Sequence, residues 1–201
     1  STWTGLNACQ MGVQLAHMDA TAHDLLDRSE VALHCKDWLY LNLTGVRATD
    51  PSEANFTFGS YTSRKYSDAV IAQLGLSGRR GLLPEIVDGT QHTHALTADA
   101  AVQTGLLAGT PVALAYVDVI CTGMGAGIYT RGEETGCTII GSTGMHMRAV
   151  AAAEVTLNDE PSGYTMVLPV PGMVAQVQTN MASTLNIDWL LGMGADLVTQ
   201  F

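Results

Sequence analysis

The sequence predicts an α/β fold. Its first third carries apolar residues at helical spacings, its last third carries short apolar runs between turn residues, and a small-residue helix joins the two. Among the 201 residues 47% are hydrophobic and 14% charged. An average soluble domain is roughly 25% charged, so this chain can fill a core and is far from the composition of disordered segments.

Met11 to Met18 and His23 to Val31 read as helices, and Asp37 can cap a helix through Trp38 and Leu39 to Leu43 that stops at Gly45. Thr49-Asp50-Pro51-Ser52 is a turn able to start a short helix. Ser67 to Leu74 is another, ended by Gly75. Leu82 to Val87 then enters a turn at Asp88-Gly89, and Thr97 opens a helix, Ala98 to Thr104, that Gly105 closes. Val112 to Val117 is an apolar run of the kind expected for a buried strand, followed by a small-residue helix from Val119 to Gly127. Cys137 to Gly141 and Met145 to Val150 form a hairpin across Ser142-Thr143-Gly144. Tyr164 to Val170 and Val174 to Gln178 are further strands, and a helix covers about Ser183 to Leu191. The change of texture near Arg131 is the expected domain boundary, giving units 1-131 and 132-201.

Nine Lys+Arg against 19 Asp+Glu leave a formal charge of −10. With Lys36 and Lys65 its only lysines, the chain lacks the basic surface that nucleic-acid binding requires. No apolar run approaches the roughly 20 residues of a membrane helix, so no membrane span is expected. Cys9, Cys35, Cys121 and Cys137 are scattered, with no C-x-x-C pair, and are expected as buried free thiols in a reducing cytoplasm. His92 and His94 stand among turn formers without a third ligand, so no metal site is expected. Asn42-Leu-Thr44 and Asn55-Phe-Thr57 fit the glycosylation sequon without a signal peptide to make it relevant. A start at Ser1 is expected of a processed or excised polypeptide.

Between Asp99 and Arg131 the only charged residue is Asp118, after the apolar run and before the small-residue helix. An ionised carboxylate there is costly to desolvate unless it is paired or faces a cleft. In a cleft it suits a general base that removes a proton from a substrate hydroxyl. The alternative is a helix N-cap on the amides of Ile120 or Cys121, and the two roles are compatible. Gly141-Ser142-Thr143-Gly144 exposes backbone N–H groups and two hydroxyls, a concavity able to accept phosphate oxygens, although an ordinary hairpin turn explains the same residues. Other motifs fail on spacing. Neither lysine follows a glycine as a Walker loop requires, Gly123-Met-Gly125-Ala-Gly127 ends on Ile128 where the dinucleotide fingerprint has its last glycine, and Ile140 occupies the glycine position of a nucleophile elbow.

Taken together these residues resemble the carbohydrate kinases that include the glycerol, xylulose, ribulose and erythritol kinases. Lys36-Asp37-Trp38-Leu39 through Leu43-Thr44-Gly45 is similar to the family's K-D-W-L-x-x-x-L-T-G helix, and Thr49-Asp50, Ser52 and Ala54 to its T-D-x-S-x-A segment. Leu83-Pro84-Glu85-Ile86, Thr104-Gly105-Leu106, Gly109-Thr110-Pro111-Val112, Asp118 and Gly125-Ala126-Gly127 resemble its most specific block. Ile140-Gly141-Ser142-Thr143-Gly144 matches the strand-turn that often reads L-G-T-S-G. The likeness runs in register from about residue 30 to 190 and is nearest to erythritol kinase-like or uncharacterised members.

The resemblance implies an actin-like, ribonuclease H-like two-domain ATPase fold, present here only in part. Two α/β domains would close on ATP, Mg²⁺ and a sugar or polyol. It implies Asp118 as the catalytic base and Gly141, Ser142, Thr143 and Gly144 against the nucleotide phosphates. Residues 1-131 would be the later part of the N-terminal domain and 132-201 the beginning of the nucleotide-side domain. Val119 departs from the Asn or Gln that often follows the aspartate and contacts substrate, which leaves the particular polyol open. The family's Asp-Gly-Thr phosphate loop, early substrate segment and adenosine motif are not in this sequence, so the chain alone is expected not to turn over ATP. Ends cut through a two-domain core are expected to leave apolar surface uncovered and to favour self-association, a homodimer included. A non-catalytic binding or regulatory module on the same fold is the main alternative, and a hydrolase pairing Ser142 with His146 a weaker one.

Overall fold

The computed structural model describes residues 8, 10–129, 135–157, 159 and 162–199. Helices α1 (Met11–Thr21) and α2 (His23–Asp27) lead to α3 (Cys35–Thr44), strand β1 (Ala48–Thr49) and α4 (Pro51–Thr57). Strands β2 (Gly59–Ser60) and β3 (Lys65–Tyr66), α5 (Asp68–Gln73), a 3-10 turn, and strands β4 (Glu85–Ile86) and β5 (Thr93–Ala95) follow. After them come α6 (Ala98–Thr104), β6 (Pro111–Ala113) and α7 (Asp118–Gly125). The last part is β7 (Gly136–Ile140), β8 (Gly144–Ala151), β9 (Tyr164–Val167), β10 (Met173–Asn180) and α8 (Thr184–Thr199).

The helix signals hold where local chemistry is strong. Gly45 and Gly105 end α3 and α6 with φ of 74° each, a left-handed conformation that costs glycine nothing. Asp50 caps α4 through the Ser52 amide, with Pro51 at the first helical position. Asp37 differs from expectation. His34 is the N-cap of α3 and Asp37 sits one turn inside, accepting the His34 backbone N–H in a capping box. Two other helices change length. The second stops at Asp27, and the chain beyond it is held extended by the Ala32 amide donating to the Leu82 carbonyl at 2.8 Å. The last runs on to Thr199.

The strand-rich part forms one antiparallel sheet in the order β7-β8-β10-β9. Its β7–β8 hairpin pairs Cys137 with Met147 and closes at Ile140 opposite Gly144. The strand expected to reach Val170 ends at Val167, two residues before Pro169, whose ring nitrogen has no proton to donate to a ladder. In the first part three small pairings were not legible: β1 runs parallel to β4, β2 pairs with β3, and β5 pairs with β6. Of the apolar run 112–117, only the first two residues lie in a ladder. The remainder stays unpaired, with Leu114 and Tyr116 buried on one side.

Helix α7 packs on the sheet. Val119, Ile120 and Ile128 share a core with Met147, Ala149, Val167, Leu168, Val174 and Val177, and a Cβ at Gly123 would stand 2.7 Å from the Met147 sulfur. A separate core gathers Leu15, Leu26, Phe58, Ile71, Leu76 and Leu82. The expected domain boundary at Arg131 lies outside the described residues.

Candidate functional site

Asp118 is the first residue of α7 and is exposed, so the desolvation implied by the apolar run before it does not arise. Its expected cap on Ile120 or Cys121 is also absent, because both amides are taken by the Val117 carbonyl at 2.9 and 3.0 Å. The carboxylate instead accepts the Val119 N–H at 2.7 Å through Oδ1. It is thus a solvent-facing acceptor at a helix N-terminus, where the helix dipole favours negative charge.

The two residues before Asp118 are fixed from opposite sides. Buried Tyr116 donates its hydroxyl to Asp88 Oδ2 at 3.0 Å and accepts from Arg64 Nη2. Arg64 has a φ of 56°, an uncommon conformation for a non-glycine residue. Its guanidinium also reaches Asp88 at 3.2 Å and the Leu168 carbonyl at 2.8 Å, tying this corner to the sheet. Burial pushes the Asp88 carboxyl up, but hydrogen bonds from Thr90 and Tyr116 and the Arg64 charge outweigh it and hold it below the usual range. Burial raises the Tyr116 phenol, so that it remains a donor. On the other side, the Val117 amide donates to the Ser52 hydroxyl at 2.9 Å across 65 residues of sequence.

Behind Ser52 lies a buried polar cluster that the sequence did not reveal as one. Ser52 donates to Asp50 Oδ1, and Asp50 Oδ2 forms an ion pair with Lys36 Nζ at 2.6 Å. Lys36 also donates to Asp37 Oδ1 at 2.7 Å. Asp37 Oδ2 faces His34 Nδ1 at 3.1 Å, and His34 Nε2 faces Glu53 at 3.3 Å. The side chains of Asp37 and Asp50 are fully enclosed. Burial alone would neutralise such groups, and pairing opposes it. It pulls Lys36 down, yet Asp50 and Asp37 hold the ammonium above its ordinary value. It pushes Asp37 up, yet His34 and Lys36 carry it below. In His34 burial is likewise outweighed, by Asp37 and Glu53, and its value is raised, whereas in Glu53 burial wins and the carboxyl is raised. The available signal was the run Lys36-Asp37 ahead of Trp38-Leu39. Here the charged pair turns inward and the two apolar residues are exposed, 57% and 56%.

The second expected segment, Gly141 to Gly144, is the β7–β8 turn. Gly141 donates to the Thr143 carbonyl at 3.0 Å, and the start of α8 ties down the carbonyl side of the turn while Ser142 and Thr143 stay exposed. Ser183 donates to the Ser142 carbonyl, Thr184 to the Gly141 carbonyl, and the Thr184 hydroxyl bonds the latter at 2.8 Å. Asp118 and this turn are carried by one core, the first on α7 and the second on the sheet beneath it, without a direct hydrogen bond between them. His146 bonds the Thr138 hydroxyl at 3.1 Å and has no hydrogen bond to Ser142 among the described residues, so the hydrolase pairing is not assembled. A concavity of about 520 Å³ lies elsewhere, over the sheet face that carries His146, Arg148, Thr165 and Gln176.

His94 is not a surface residue: it is half-buried with Nδ1 2.6 Å from the Tyr40 hydroxyl. Cys35, Cys121 and Cys137 are free thiols, but only Cys137 is buried, because the other two lie on outward faces of their helices; Cys9 lies outside the described residues. Among the described residues no group of three His, Cys, Asp or Glu side chains forms a metal cluster, and no helix is long and apolar enough to cross a membrane.

Comparison with known proteins gives a consistent result. Residues 2–125 match the N-terminal domain of the FGGY family of carbohydrate kinases. The chain is 61% identical to the erythritol kinase of Brucella abortus (strain 2308) over 199 residues, 99% of this chain and 38% of that protein. It is 32% identical to the xylulose kinase of Bacillus subtilis (strain 168) over 123 residues, 61% of this chain and 24% of that one. It therefore spans well under half the length of these curated relatives. Among solved structures, one titled a xyloylose kinase from Brucella ovis superposes with a TM-score of 0.82 at 21% identity, covering 96% of this chain and 39% of that one. The glycerol kinase of Plasmodium falciparum with ADP superposes at 0.78 and 14%, with the same coverage.

Proposed function

The chain belongs to the FGGY family of carbohydrate kinases and has the actin-like fold of its sugar-kinase neighbours, and from that premise we propose that the whole protein phosphorylates a sugar alcohol with ATP. The 61% identity to an erythritol kinase over almost the entire chain carries this reading and favours a four-carbon polyol as acceptor. In the reaction the substrate hydroxyl oxygen forms a bond to the γ-phosphorus, the bond from that phosphorus to the bridging oxygen breaks, and ADP leaves. Asp118 takes the hydroxyl proton as base. Its exposed Oδ2 suits this role, since it carries no hydrogen bond among the described residues.

Phosphoryl transfer depends on positioned charge more than on covalent chemistry. The turn Gly141-Ser142-Thr143-Gly144 is assigned to the nucleotide phosphates, with its small side chains admitting them to the backbone. Mg²⁺ would be held mainly by the nucleotide phosphates and, when bound, would neutralise their charge; among the described residues no group of three His, Cys, Asp or Glu side chains could hold it. Residues 1-131 form the later part of the sugar-side domain and 132-201 the beginning of the nucleotide-side domain. The reading extends to the cytoplasm, supported by the free thiols, and, for this partial chain, to self-association through Leu185, Ile187, Trp189 and Leu190, which α8 leaves exposed.

Substituting Asp118→Asn in the whole protein tests the assignment. Turnover of erythritol should fall by about 10²–10⁴-fold, the usual worth of a positioned base, while calorimetry shows ATP binding unchanged. A variant that keeps its kcat sinks the mechanism, and failure of the unaltered protein to bind ATP favours the non-catalytic module.

A further inference from the structure

The Asp118 carboxylate is exposed and, among the described residues, accepts one hydrogen bond, from the amide of the next residue. Its direction is therefore set by the backbone that carries it. That backbone has a weak point at Val117. Strand pairing ends at Ala113, α7 begins at Asp118, and neither sheet nor helix supplies an acceptor for the Val117 N–H. The partner comes from Ser52, on a different element and fully buried, where water is excluded.

The orientation of that hydroxyl follows from its neighbours. Ser52 has one proton to donate, and Asp50 as a carboxylate can only accept. The proton therefore points to Asp50 Oδ1, and the oxygen lone pairs are turned to Val117. Asp50 in turn cannot rotate away, because its Oδ1 caps α4 through the Ser52 amide at 2.7 Å and its Oδ2 faces Lys36 at 2.6 Å. The chain of contacts runs without a gap from Lys36 to the residue before Asp118.

We propose that Ser52 is a positioning residue for Asp118: oriented by Asp50 and Lys36, its hydroxyl anchors the Val117 amide and so fixes the direction of the Asp118 carboxylate. The inference rests on the reading of Asp118 as the base. Tyr116, held by Asp88 and Arg64, anchors the same turn from the other side, which confines the effect of Ser52 to the peptide on which the carboxylate turns.

The test is Ser52→Ala in the whole protein, with Ser52→Cys as a second variant that keeps a donor on a somewhat larger atom but accepts only weakly. Turnover is counted per ATP-binding site by titration, so loss of folded protein does not enter. The expected result is a fall in kcat of about 10- to 100-fold, the scale of an ångström-level misplacement. KM for ATP and erythritol should stay within about twofold, and amide exchange at Val117 should accelerate. An unchanged kcat per site in either folded variant, or a raised KM at constant kcat, overturns the proposal. Asp118→Asn separates the two claims: if it turns over normally the base assignment fails and this one with it, whereas an inactive Asp118→Asn beside normal Ser52 variants removes only the positioning role.

Discussion

The two faces that meet at α7 are built by opposite means. On one side the four-stranded sheet packs Val167, Leu168, Val174, Ala175 and Val177 into a core with no charged member. On the other, Asp37 and Asp50 are enclosed, Glu53 nearly so and Lys36 half-buried, linked by ion pairs and by Ser52 to the chain before Asp118. A protein with 14% charged residues thus places several of them inside, around one turn. Apolar packing is non-directional and tolerates rearrangement, whereas a buried hydrogen-bonded network holds a particular geometry and is costly when one member is removed. Stability can come from either. Fixing the direction of one carboxylate calls for the second.

The comparison is broken most directly by one substitution on each side. Lys36→Met leaves Asp37 and Asp50 facing each other without their cation and should cost about 3–5 kcal/mol, as removal of one partner of a buried pair does. Leu168→Ala opens a cavity beside fully buried neighbours and should cost about 2–5 kcal/mol. Urea unfolding of the whole protein measures both. The informative contrast is kcat per binding site, which should drop for Lys36→Met and hold for Leu168→Ala. Equal effects on turnover would erase the distinction between the two faces.

A smaller effect is expected from pH. His34 faces Asp37, Glu53, Lys36 and Thr57, and its raised value means the folded state favours the protonated ring. That stabilisation is complete below the unfolded value of 6.5 and is lost as pH rises through the folded value. Glu53, also raised, contributes in the same sense from 4.5 upward, whereas the contribution of Asp37, lowered from 3.8, disappears only as pH falls through its folded value. Urea midpoints should therefore decline as pH rises above 6.5, and His34→Gln should flatten that decline. A slope unchanged in the variant would place the titration elsewhere.

The smallest effect sharpens the apolar side. A Cβ at Gly123 meets the Met147 sulfur at 2.7 Å, the movable end of a flexible side chain. The gain in helix propensity, about 1 kcal/mol, should offset the displacement. Gly123→Ala is expected to shift stability by less than about 1 kcal/mol, read from the thermal midpoint. A large loss would show that α7 sits on the sheet with no room to yield.

Much was legible from local chemistry. Gly45 and Gly105 stopped their helices where expected, Pro51 began one, and the hairpin around Gly141 to Gly144 formed in the expected place. Each of these depends on a residue whose backbone preference acts over a few neighbours. The two-residue pairing of β1 with β4 was not legible, since Ala48-Thr49 and Glu85-Ile86 are too short to show a period. Asp118 was singled out as a lone charge, but its exposure and its actual partner were not.

Taken by itself, the sequence determined the α/β class, the placement of most helices, and through its resemblance the family that the comparisons then showed. Those properties reside in spacing, turn residues and short motifs, which are local. The tertiary structure alone decided that Lys36 and Asp37 turn inward while Trp38 and Leu39 face out, and that Ser52 meets Val117. Burial and long-range hydrogen bonds depend on which segments the fold brings together, and no pattern along the chain encodes the neighbour 65 residues away.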